Sequence, residues 1–94
     1  MLIGLLLQAQ KNYTVKVTDS KTRNPITNAS VNIKSTSKGA VTNTSGSAVV
    51  QALPGDVLEI TSIGYASQNV TLSAQTSVSV VLESTSIEYI DVVV

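Results

Sequence analysis

The side chains that could do chemistry are few and poorly matched to one another. There is no histidine and no cysteine. A serine hydroxyl therefore has no imidazole to take its proton, and neither a thiolate nucleophile nor a thiolate metal ligand can form. Six carboxylates remain. Asp56 and Glu59 lie three positions apart, and oxygen ligands of that kind could hold a hard cation. They flank a Pro-Gly turn and the start of a strand, where solvated carboxylates are the simpler expectation. The five glycines are scattered and make no phosphate loop. Tyr13, Tyr65 and Tyr89 are the only aromatics, too few for sugar-stacking platforms. The formal net charge is zero, which argues against an electrostatic nucleic-acid binder. These residues point to a binding or positioning domain with no catalytic site, cofactor or metal.

Any such domain needs a scaffold, and the chain is built for strands. It has 94 residues, of which 43% are hydrophobic and only 3% aromatic. The core must therefore be aliphatic. Val and Thr favour strands, and Ser and Asn favour turns. Tyr13, Val15 and Val17 alternate with Thr14, Lys16 and Thr18. The same period of two recurs at Ala29-Val31-Ile33, Ala48 to Ala52, Leu58-Ile60, Val70-Leu72 and Val78-Val80-Leu82, with a short strand around Val41. Turn signals fall at Asp19 to Pro25, Asn43 to Gly46, Pro54-Gly55-Asp56 and Ser73 to Thr76. No window has a helical apolar stripe. About seven short strands at this spacing predict an all-β antiparallel sandwich of transthyretin-like or immunoglobulin-like type.

The two ends read differently. Residues 1–10, MLIGLLLQAQ, hold an apolar run too short to span a bilayer and are expected to be the remnant of a secretory signal. After Glu83 comes a short polar stretch, then Ile87 to Val94, a strongly β-prone string. The expected organisation is a signal remnant at 1–10, a sandwich at 11–83, and a linker with a terminal strand at 84–94. All six basic residues lie between Lys11 and Lys38, and five of the six acids lie from Asp56 onward. Solvated faces are the plainer reading of that asymmetry, and oppositely charged faces the functional one. The Asn-x-Ser/Thr sequons at Asn12, Asn28, Asn43 and Asn69 are expected from composition alone.

Several short motifs, in order, resemble the carboxypeptidase-D regulatory-like domain, a transthyretin-like sandwich. They are Val15-Lys16-Val17-Thr18-Asp19, Pro25-Ile26 before Ala29 to Ile33, Gly39-Ala40-Val41-Thr42-Asn43-Thr44-Ser45-Gly46, Pro54-Gly55-Asp56-Val57-Leu58, Ser62-Ile63-Gly64-Tyr65 and Val80-Val81-Leu82. Asn43 stands where the family more often has Asp, Lys16 where it has Gly, and Ser47-Ala48 where an aromatic is usual. The signature positions are Pro25, Gly39, Gly46, Pro54, Gly55, Gly64 and Tyr65, all with structural roles. Tyr65 is expected to cap the core behind a bend at Gly64, with its hydroxyl paired.

The terminal segment Glu88, Tyr89, Ile90, Asp91, Val92, Val93 and Val94 is similar to the string before the plug of SusC-like TonB-dependent outer-membrane receptors, with its acidic pair reduced to Asp91. The resemblance implies an exported, non-catalytic N-terminal extension on the periplasmic side of the outer membrane. Its partners would be a TonB-type periplasmic protein and the plug and barrel of the same natural chain. Membrane association would come only through that barrel, and glycans are the implied cargo. The alternatives are a secreted or surface sandwich used for adhesion or as a spacer, and an accessory domain beside a metallocarboxypeptidase.

Overall fold

The computed structural model describes residues 10–85. Residues 1–9 of the signal remnant expected at 1–10, and the strand expected at Glu88 to Val94, lie outside the described residues. Seven strands follow one another: β1 Lys11–Asp19, β2 Ser30–Ile33, β3 Gly39–Val41, β4 Ser47–Ala52, β5 Val57–Thr61, β6 Gln68–Thr71 and β7 Ser77–Leu82. Among the described residues there is no helix.

They form two sheets, one ordered β4-β1-β7 and the other β3-β2-β5-β6. The inward positions are those of the period-two pattern. Tyr13, Val15 and Val17 are fully buried, as are Ala29, Val31, Leu58, Ile60 and Leu82. The core is thus aliphatic around one tyrosine. Tyr13 brings its hydroxyl to the edge of the core, where it donates to the Ser73 carbonyl at 2.6 Å.

The antiparallel expectation fails in one place. β1 pairs β7 in parallel, Val15 opposite Val78 and Val17 opposite Val80. The other four strand pairs are antiparallel. Parity explains the exception. The chain reverses at every turn, so strands an odd number of steps apart run oppositely. β1 and β7 are six steps apart and run the same way. An alternating pattern shows which face a strand buries, but not which strand it meets.

Two of the signature residues hold the arch between β3 and β4 in place. Gly46 has φ 75°, and a Cβ there would lie 2.7 Å from both the Val17 carbonyl oxygen and Pro25 Cβ. Glycine is required for conformation and for space. Thr42, the only buried polar residue among those described, lies beside it. Its hydroxyl donates to the Ile26 carbonyl at 2.6 Å and accepts the Ala29 N–H at 2.9 Å. Asn43 then turns the chain, its Oδ1 accepting from Ser45 N–H at 2.9 Å and Ser47 N–H at 3.1 Å.

Candidate functional site

The most organised polar cluster lies where the chain leaves the sandwich. Asp19 closes β1 and begins a turn, its Oδ1 accepting the Lys21 N–H at 2.7 Å and the Thr22 N–H at 3.0 Å. A short aspartate does this readily, because its carboxylate reaches the backbone two and three residues on. Oδ2 is left over, and the Tyr65 hydroxyl donates to it at 2.5 Å. The Tyr65 bond, more than the two backbone donors, pulls the Asp19 carboxyl down to about 2. The same bond, with some desolvation, pushes the Tyr65 phenol above its ordinary value.

Local sequence places Tyr65 there. β5 ends at Thr61, and the chain turns with Tyr65 N–H on the Ser62 carbonyl at 3.1 Å. Gly64 carries φ 86° with open space where a Cβ would be, so glycine serves conformation alone. Past the turn, the segment after β7 pairs with it. Ala66 N–H donates to Glu83 O at 2.9 Å, Thr85 N–H to Gly64 O at 2.8 Å, and Tyr65 bridges Ser84. Ser20 N–H joins Leu82 O at 3.0 Å. Three segments distant in sequence are thereby tied at one pole: the end of β1, the β5–β6 turn, and Leu82 to Thr85.

This cluster is a clasp. A carboxylate satisfied by three fixed donors is a poor proton acceptor, so Asp19 is unsuited to act as a general base. Asp56 is likewise occupied. It is half-buried, and its Oδ2 accepts the Leu53 N–H at 2.9 Å. That departs from the solvated carboxylate expected there, because the Pro54-Gly55 turn folds the side chain back onto its own backbone. Among the described residues no three Asp or Glu side chains come together as a metal site would require.

The structure separates the signature residues into three groups. Pro25 and Gly46 touch at the arch. Gly64 and Tyr65 form the clasp with Asp19. Pro54 and Gly55 make the β4–β5 turn, where Gly55 N–H bonds Leu72 O at 2.8 Å. Gly39 stands apart on β3, where an added Cβ would meet the Val31 carbonyl and Asn32. The residues at Glu88 to Val94 lie outside the described residues. Sequence reasoning singled out Tyr65 but not its partner, since Asp19 stands 46 positions away. Thr42 was equally hidden, one hydroxyl in a chain full of them.

Two sheets of short strands with a clasped exit and an aliphatic core define a small β-sandwich module of regulatory-domain type. The family model for the CarboxypepD_reg-like domain matches residues 14–94, and the chain belongs to that family. A comparison with curated proteins gives no match.

Proposed function

We propose that this sandwich is the non-catalytic N-terminal extension of a TonB-dependent outer-membrane nutrient receptor, with glycans or their fragments as the cargo class. It would sit on the periplasmic side of the outer membrane and position the segment that follows it. In this reading residues 1–10 are the remnant of a secretory signal, 11–83 the sandwich, and 84–94 a linker ending in the contact strand Glu88, Tyr89, Ile90, Asp91, Val92, Val93 and Val94.

The observation that carries it is the clasp. Glu83 and Thr85 are bonded into the β5–β6 turn, three residues before the TonB-box-like string begins. The domain therefore supplies a fixed starting point for that string. Extended peptides bind by adding a strand to a partner's sheet edge, and a run of valines and isoleucine suits that mode. The plug and barrel of the natural chain would carry the cargo site.

The test is an NMR titration of a peptide spanning Ile87 to Val94 against the C-terminal domain of TonB, with a known receptor peptide as positive control. Weak binding, with shifts along one strand edge of TonB, is the expected result. No shift at millimolar peptide, with the control binding normally, would remove the TonB role.

A further inference from the structure

Backbone bonding distinguishes the two open sides of the sandwich. Val17 N–H bonds Gly46 O, and the β1–β4 register carries that alternation forward. Ala48, Val50 and Ala52 therefore bond β1, while Val49 and Gln51 turn their N–H and C=O groups outward. On β3, Ile33 N–H bonds Lys38 O and Thr42 N–H bonds Ala29 O. Gly39 and Val41 thus face outward in the same way. The β6–β7 side differs. There the Gln68 side chain reaches the Val81 carbonyl at 3.4 Å, and Glu83 to Thr85 is paired with Gly64 to Ala66.

Between the β3 and β4 edges lies a cleft of about 210 Å³, lined by Ile33, Lys38, Gly39, Val49, Val50 and Gln51. It is smaller than the roughly 300 Å³ at which small-molecule sites begin. Its floor is apolar, formed by Ile33 and Val50. Edge strands are usually blunted by charge, proline or a bulge. β4 reads Ser-Ala-Val-Val-Gln-Ala and has none of these charges or prolines. Val49 is 55% exposed.

Charge then selects the occupant. Lys38 lines the cleft, Lys34 starts the same β2–β3 turn, and Lys11 lies opposite Ala52 at the same end of β4. The acid nearest in sequence to that end, Asp56, is turned onto the Leu53 N–H.

We propose that the β3–β4 side is a strand-addition site for an extended segment of a partner protein, antiparallel to β4, with alternate apolar side chains and carboxylates at its N-terminal end. The backbone of Val49 and Gln51 supplies the ladder. The cleft takes one branched side chain, and Lys38 with Lys11 meets the carboxylates.

The test titrates the full ¹⁵N-labelled chain with a synthetic peptide, acetyl-Glu-Asp-Val-Thr-Val-Thr-amide. Saturable shifts are expected at the Val49, Gln51 and Gly39 amides. Replacing both valines of the peptide by proline should abolish them. Lys38→Glu, an exposed position, should weaken binding about fivefold, the size of a reversed surface charge contact. Each contrary result overturns the proposal: no shift at millimolar peptide, shifts at β6 and β7 instead, or equal binding of the proline peptide. So would concentration-dependent shifts at Val49 without peptide, since the edge would then serve a second copy of the chain.

Discussion

Replacing Thr42 with valine should cost more stability than its near-identical shape suggests. Valine puts a methyl where the hydroxyl was and leaves the backbone bonds of residue 42 in place. Two bonds vanish, the one to the Ile26 carbonyl at 2.6 Å and the one from Ala29 N–H at 2.9 Å. Ala29 is fully buried and Ile26 nearly so. Their backbone groups would be left without partners. Each orphaned group costs about 1–3 kcal/mol, and the added buried methyl returns about 0.8 kcal/mol. The net loss is about 1–5 kcal/mol, centred at about 3 kcal/mol. For a domain of this size the central value lowers Tm by about 12–24 °C. Thr42→Ser is the matched control, since it keeps both bonds and gives up one methyl, for about 1 kcal/mol. Thermal unfolding by far-UV circular dichroism, with urea titrations to check that the m-value is unchanged, separates the two. If Thr42→Val melts as high as Thr42→Ser, the hydroxyl does not hold the arch and the reasoning fails.

The glycines and the clasp can be tested in parallel. Gly46→Ala should lower Tm well below Gly64→Ala, because both strain a positive φ but only the first also forces a Cβ to 2.7 Å from Val17 O and Pro25; equal losses would show that the arch relaxes freely. Gly64→Val should still destabilise by about 1–3 kcal/mol through backbone strain alone, and an unchanged melting temperature would count against the bend. The Asp19 carboxyl is depressed from 3.8 to about 2. Its contribution is therefore present above pH 4 and is lost as pH falls toward 2. Tyr65→Phe should lower stability at neutral pH and flatten that acid limb, because the Tyr65 bond is the largest cause of the depression. At the alkaline end Tyr65 has a raised value, so its contribution is present below pH 10 and fades above it. An acid unfolding curve identical in Tyr65→Phe and the parent would dissociate the clasp from Asp19.

Much of this domain follows from the chain alone. The alternation of Val15 and Val17 with Lys16 and Thr18, and its recurrence at Leu58-Ile60 and Val80-Leu82, determines the strands and their buried faces. A period of two leaves no freedom about which side chains meet the core. The turns were legible for the same local reason, because Pro54-Gly55 and Asn43 to Gly46 carry their own backbone preferences. The absence of histidine and cysteine settles which catalytic machineries are impossible without any reference to structure. Tertiary structure alone decided the rest. The parallel pairing of β1 with β7 depends on how many reversals separate them and which sheet each joins. The choice of Thr42 among the many hydroxyls, and of Asp19 as partner to Tyr65, depends on contacts across 16 and 46 positions. Local pattern encodes what a residue's own backbone and immediate neighbours prefer. Which distant hydroxyl meets which carboxylate is encoded only when the two sheets close on each other and bring those groups within reach.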